Sequence, residues 1–188
     1  MKKAELVYNY ILEQALEKKR RRLTQAEIAK ALGVSLSIVN VSIGHLRKMG
    51  AVRVKPRGFD VVDVRKILYF WASARNVRKD IVYSTRVDRP VGEIEKAMPP
   101  GVVYAAYTAY KMKFKDVPAD YSEVYVYDNG DIEKIKKRFP PSKNRPNLFV
   151  LKRGPDRMTT ANIFVDLWNM TEWYAKDFLA ALEARMHG

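Results

Sequence analysis

Leu23-Thr24-Gln25-Ala26-Glu27-Ile28-Ala29-Lys30-Ala31-Leu32-Gly33-Val34-Ser35 is the stretch from which the rest of the chain is read. Thr24 and Glu27 stand at the T-x-x-E spacing of a capping box, which satisfies amides left over at a helix start. Ile28, Ala31 and Leu32 then share one helical face. Gly33 falls where the chain leaves that helix, in the left-handed conformation that a residue without Cβ adopts readily. Val34 is expected to turn back into the core. Ser35 is placed to cap a second helix, Leu36 to Met49. Val39, Ile43 and Leu46 recur at four and three residues and form its apolar stripe. That stripe leaves Leu36, Ser37, Asn40, Val41 and Gly44 facing outward, and Gly50 ends the helix.

Beyond Gly50 the period becomes strand-like. Ala51-Val52-Arg53-Val54-Lys55 alternates, Pro56-Arg57-Gly58 is a turn, and Phe59 to Val62 returns as a second strand. Two capped helices followed by a short basic hairpin resemble the winged helix-turn-helix family of DNA-binding regulators, over about a third of the chain. The resemblance implies that the second helix enters the major groove and that the hairpin is a wing. Asn40 suits a bidentate contact to adenine, Ser37 either base type, and Leu36 or Val41 a thymine methyl. Arg47 and Lys48 near the helix C-terminus and the run Arg20-Arg21-Arg22 suit phosphates, and Lys55 and Arg57 in the wing suit a backbone or a minor groove. With Thr24, Gln25, Ser35 and Gly44, these residues make up the candidate DNA-binding set. The outward positions of the first turns hold no arginine to read guanine, which points to an A·T-leaning site.

Charge supports a polyanionic partner. The chain has 188 residues and a net charge of +14. Residues 1–62 carry 13 Lys/Arg against 5 Asp/Glu, residues 63–115 carry 11 against 5, and residues 116–188 carry 11 against 11. The excess therefore belongs to the helix-turn-helix half and its neighbour. At 47% hydrophobic and 11% aromatic residues the chain can bury a core. It has no cysteine, which excludes disulfides and thiolate metal sites and fits a reducing compartment. No apolar run reaches the length of a membrane span, and no uninterrupted apolar signal region follows the basic Met1-Lys2-Lys3. We therefore expect a cytoplasmic protein without membrane association.

The remaining elements predict an α+β chain: residues 1–62 a winged helix-turn-helix, residues 63–77 a bridging helix, residues 78–188 a mixed α/β domain. Residues 4–19 form an amphipathic helix, with Lys18 to Arg22 directly after it. Asp63 starts a helix to Val77 that is apolar on two sides, through Val64, Ile67, Leu68, Trp71 and Ala74 on one and Tyr69 and Phe70 on the other. Such a helix must be covered on both sides. Asp80 to Val87 reads as a strand, Pro90 to Met98 as a short helix, and Pro99-Pro100-Gly101 as a break. Tyr104, Tyr107 and Tyr110 are three apart, so Val102 to Met112 is expected to be helical. Ser122 to Tyr127 is a strand, Asp128-Asn129-Gly130-Asp131 a turn, Ile132 to Phe139 a basic helix, residues 140–146 an exposed loop, and Asn147 to Lys152 a strand. A turn follows from Gly154 to Met158, and Ala161 to Trp168 is a strand or the start of a helix. Thr171 is expected to cap a last helix that ends near Met186 and buries Trp173, Tyr174, Phe178, Leu179 and Leu182.

No Gly-rich phosphate loop, G-x-S-x-G or H-E-x-x-H occurs. Asp128 and Asp131 form the closest carboxylate pair, in a turn that favours Asx residues for backbone reasons. Asp166 reads as a buried carboxylate capping the last helix, His45 as a surface helix residue, and His187 as uninformative. We expect no enzyme, no catalytic residue, no metal and no cofactor. A second resemblance lies in Pro99-Pro100-Gly101-Val102-Val103, Ala105-Ala106-Tyr107-Thr108-Ala109-Tyr110, Val117-Pro118 and Glu123-Val124-Tyr125-Val126-Tyr127. Val165-Asp166-Leu167-Trp168-Asn169 and Trp173-Tyr174-Ala175-Lys176-Asp177-Phe178 extend it. Behind a winged helix these segments look like the regulator/antitoxin partners of abortive-infection nucleotidyltransferase systems and their archaeal relatives. That resemblance implies autoregulatory DNA binding and a C-terminal domain of nucleotidyltransferase-like topology without catalytic residues. The sequence thus predicts a transcriptional regulator that occupies double-stranded DNA, with a homodimer reading a pseudo-palindrome. The alternatives are an antitoxin-like subunit that neutralises a nucleotidyltransferase partner, and an RNA-binding protein.

Overall fold

Thr24 ends an extended segment and opens a helix: its hydroxyl accepts the amide of Glu27 at 3.1 Å. In the computed structural model, which describes residues 1–187 except Asn129, Asp131 and Arg153, and at His187 the backbone alone, the chain is mixed α+β. Its residues cluster into two compact units: Met1–Ala74 with Thr159–Val165, and Arg75–Met158 with Asp166–Gly188.

The first unit begins with α1 (Lys3–Leu16), then β1 (Arg22–Leu23), α2 (Gln25–Leu32) and α3 (Leu36–Lys48). Gly33 leaves α2 at φ +61°, and its amide closes the helix on Ala29. Ser35 caps α3 by accepting the amide of Ile38 at 3.4 Å. Val39, Ser42, Ile43 and Leu46 are the buried residues of α3. Ile28 is buried as expected, but Ala31 is exposed: α2 is covered on a narrower stripe than its apolar residues mark out. The hairpin β2 (Val52–Lys55) and β3 (Gly58–Val61) follows, and β1 pairs antiparallel on β3, giving a three-stranded sheet of order β1-β3-β2. Gly58 sits at φ +138°, and a Cβ there would lie 2.4 Å from the carbonyl oxygen of Leu23.

The next helix, α4 (Val64–Ala74), starts where Asp63 accepts the amide of Lys66 at 3.0 Å. It ends three residues short of the expected Val77, and Asn76 caps a separate 3-10 turn, Val77–Asp80. On one apolar side of α4 Ile67, Leu68 and Trp71 are buried but Ala74, expected there, is exposed; on the other Tyr69 and Phe70 are half-buried against aromatic partners. Phe70 meets Tyr8 of α1 edge-on at 5.6 Å, and Tyr69 meets Phe164 at 5.6 Å. Phe164 belongs to the segment that rejoins the unit. There Thr159 donates its hydroxyl to Asn9 at 2.6 Å, and the amide of Thr160 reaches Glu17 at 2.7 Å.

The second unit is built on a four-stranded sheet of order β4-β7-β6-β5, with strands β4 (Ile81–Thr85), β5 (Val103–Ala105), β6 (Val124–Tyr127) and β7 (Leu148–Leu151). The β6–β7 pair is parallel and the other two are antiparallel. Val124, Val126, Leu148 and Val150 point to one face and pack with Ile94 of α5 (Val91–Lys96) and Ile135 of α7 (Ile132–Arg138). Along the other face lie aromatic residues. Tyr125 and Phe149, direct partners across the parallel pair, stack at 4.6 Å. Tyr107 and Tyr110 of α6 (Ala106–Phe114) meet Phe178 of the last helix edge-on at 5.0 and 5.3 Å.

Four further expectations differ from the structure: the helix over Val102 to Met112, the Thr171 cap, the burial of Trp173 and the Asp166 cap. Val103–Ala105 is a strand, and the helix starts only at Ala106: the β-branched and aromatic residues there find a ladder on β6, which outweighs the three-residue tyrosine spacing. The chain passes through Thr160–Trp168 as helix α8, and the last helix, α9, is Ala175–His187. Thr171 does not cap α9; the amide of Ala175 bonds the carbonyl of Glu172, and Trp173 is 75% exposed. Asp166 is buried as expected, but its carboxylate accepts the Tyr127 hydroxyl at 2.8 and 2.9 Å instead of capping α9. Gly130 donates its amide to Asp128, as an Asx turn requires, whereas Asp131 and the His187 side chain lie outside the described residues. Among the described residues no helix is long and apolar enough to cross a membrane.

Two stability predictions follow from this packing. Gly58→Ala forces both a strained φ and a backbone clash, and we expect it to cost more than about 1 kcal/mol in denaturant unfolding. Burial first, and then the adjoining carboxylates, raise the phenols of Tyr107, Tyr121, Tyr125 and Tyr127. In the unfolded chain a phenol ionises near pH about 10. Stability from these groups is therefore complete below that pH and falls as the pH rises beyond it. In an alkaline titration their phenolate absorbance should appear together with loss of helical ellipticity; phenolate signal from these four with ellipticity intact would contradict the packing.

Candidate functional site

Because α3 buries Val39, Ile43 and Leu46, its opposite side is committed to solvent. Leu36 and Val41 are each 56% exposed, and Ser37, Asn40, Arg47 and Lys48 are exposed beside them. Gly44 is half-buried on the same side and has open space where a Cβ would stand. The structure brings Gln25, Asn40, Val41, Gly44, Arg47 and Lys48 to one shallow depression. Gln25 of α2 donates its amide to Asn40 Oδ1 in a long bond of 3.5 Å between two exposed side chains. With Oδ1 engaged by Gln25, Asn40 keeps its NH2 donors and a spare acceptor lone pair.

Thr24 and Ser35 stand differently. Their hydroxyls are engaged in capping α2 and α3, so they position the helices. Thr24 also donates to Glu27 at 3.3 Å, and Glu27 in turn forms an ion pair with Arg20. That pair, together with Lys18 beside Glu13 at 3.6 Å, neutralises part of the basic run after α1. Arg21 and Arg22 remain exposed. In the hairpin Lys55 lies 3.8 Å from Asp60, while Arg57 at the tip is exposed without an ion-pair partner among the described residues. Arg47 and Lys48 likewise have no ion-pair partner there. The unneutralised cations of this set are therefore Arg21, Arg22, Arg47, Lys48 and Arg57. Arg20 to Arg22, Lys55 and Arg57 do not line the depression.

Three residues outside the candidate set also line the depression: Ile43, which the stripe assigns to the core, His45 and Val54. His45 lines it, with its Nδ1 3.3 Å from the Tyr8 hydroxyl and its ring 6.2 Å from Phe70. Val54 lines it from β2 and is 48% exposed. An apolar residue on a short two-sided hairpin is the one sequence signal that could have drawn attention to Val54. Among the described residues no three His, Asp or Glu side chains gather in a metal-holding group. Compared with known proteins, the chain matches no protein-family model, no curated protein and no solved structure.

Proposed function

We propose that the chain is a sequence-specific regulator of transcription that binds double-stranded DNA, with the first unit acting as a winged helix-turn-helix. The observation that carries this reading is the exposed face of α3: Asn40, bonded to Gln25, among Leu36, Ser37 and Val41, followed by Arg47 and Lys48 without ion-pair partners among the described residues. In this reading α3 enters the major groove. Asn40 pairs with adenine, Leu36 and Val41 touch thymine methyls, and Arg47 and Lys48 bind phosphates. The β2–β3 hairpin is the wing, and Arg57 at its tip meets the backbone. Regulation is by occupancy, and two copies reading a pseudo-palindrome set the half-site spacing. No catalytic step is part of this function.

Selection from a randomised duplex pool, with salt titrations on the enriched sequences, tests the reading. An A·T-leaning motif bound well above random DNA supports it; sequence-blind binding overturns it. Asn40→Ala should cost about 1–3 kcal/mol on the selected site and little on random DNA. Arg57→Ala should weaken all sequences alike and lower the salt slope by about one. Glu27→Gln keeps a side chain suited to the capping box but releases Arg20. It should raise affinity for random duplex and steepen the salt slope by about one, read by fluorescence anisotropy.

A further inference from the structure

The aromatic face of the four-stranded sheet borders a cavity of about 330 Å3, all of whose walls come from the second unit. That volume lies at the small end of ligand pockets. The stacked Tyr125 and Phe149 rings line it, with Val77, Ile81 and Met170 adding apolar surface. Four charged residues line it as well: Arg78, Arg145, Glu123 and Glu172.

These four are not equally engaged. Glu172 is the most engaged, accepting the hydroxyls of Tyr107 at 3.0 Å and Tyr125 at 2.7 Å and the amide of Thr171 at 3.1 Å. Arg78 gives one N–H to the Thr171 hydroxyl at 2.9 Å and keeps the others. Arg145 is exposed on the loop before β7 and makes no hydrogen bond or ion pair among the described residues. Glu123 accepts the Ser122 hydroxyl on Oε1 at 3.0 Å, but its Oε2 is buried with no hydrogen-bond partner. A buried acceptor without a donor is costly to fold around, and a bound donor relieves it. The Arg145 guanidinium feels the Glu123 carboxylate but makes no direct bond to it, so its N–H fork is open to a carboxylate or phosphate.

We propose that this cavity binds a free α-amino acid with an apolar side chain. The ammonium group bonds Glu123, the carboxylate bonds Arg145 and the remaining N–H groups of Arg78, and the side chain lies against Phe149, Val77, Ile81 and Met170. Charge selects this ligand class. Two arginines and two glutamates sum to zero, so a zwitterion leaves the site balanced. A nucleoside phosphate matches the arginines and the rings, but sets a dianion near Glu123 and Glu172. The approach from solvent is a wider depression that shares Glu123, Arg145 and Glu172 with the cavity and opens past the exposed Trp173.

The inference goes beyond the DNA-binding reading and its test uses no DNA, so the two fail separately. The full chain is titrated calorimetrically with each standard L-amino acid, with the N-acetyl and primary-amide derivatives of any that bind, and with nucleoside monophosphates. We expect at least one amino acid with an apolar side chain to bind at one per chain. Both derivatives, each lacking one charge, should bind about tenfold more weakly or worse. Glu123→Gln and Arg145→Ala should each produce a loss of the same size; Arg145 lies on an exposed loop, so its variant leaves the core intact, and circular dichroism confirms folding of both. Absence of any amino-acid binding, binding that survives both substitutions, or binding of nucleoside monophosphates in their place would overturn the proposal.

Discussion

The rotation of α3 about its own axis is the constraint on which the first unit depends. A helix of period 3.6 that buries Val39, Ile43 and Leu46 has no freedom left in choosing what it shows to solvent. Everything around α3 secures that rotation. Ser35 fixes where the helix begins, and Gly33 in the left-handed region sets the angle at which it leaves α2. Lys66 of α4 donates its ammonium group to the carbonyl of Met49, one residue past the helix. Gly58 lets the hairpin close against Leu23, so the sheet seals the far side of the same core.

The second unit solves a different problem. One face of its sheet is mostly aliphatic, and the two phenols packed against it, Tyr83 and Tyr104, give their hydroxyls to the backbone carbonyls of Phe139 and Glu95. The other face buries phenols, whose hydroxyls must each find an acceptor. Glu172, Asp166 and Glu95 are held inside for that reason. Glu95 accepts Tyr121 at 2.6 Å and Thr108 at 2.9 Å, and Lys111 balances its charge. Arg75, only 6% exposed, pairs with Asp80 and donates toward the Tyr127 hydroxyl at 3.5 Å. Tyrosine-rich faces of this kind gain specificity from their polar tips, because a misplaced ring strands both a hydroxyl and a carboxylate.

Much of the first unit was legible because its signals are local. A capping threonine, a glycine at the helix exit, a capping serine and a stripe at four and three residues each act within one turn of chain. β1 was not legible, because two residues acquire strand character only by pairing with β3, more than thirty positions away. Val103–Ala105 carried two competing local signals, and a distant strand decided between them. Trp173 reads as core by composition alone, yet the turn closed by Glu172 and Ala175 leaves it outside. Among the candidate binding residues the exposed face of α3 could be read from periodicity, whereas the ion pair of Arg20 with Glu27 could not. The cavity was invisible in sequence, since Arg78, Glu123, Arg145 and Glu172 come from four separated segments.

The return of Thr159–Val165 to the first unit has a consequence for how the protein is made. Ile163 and Phe164 are fully buried there, and Thr159 and Thr160 tie down Asn9 and Glu17 of the first helix. The polypeptide emerges from the ribosome N-terminus first, so the unit carrying α3 lacks part of its core until translation has passed Val165, about ninety residues beyond Ala74. Chains that end before Val165 thus hold an unfinished version of that unit, and its completion reports that the intervening Arg75–Met158, which carries all four strands of the second sheet, has also been synthesised.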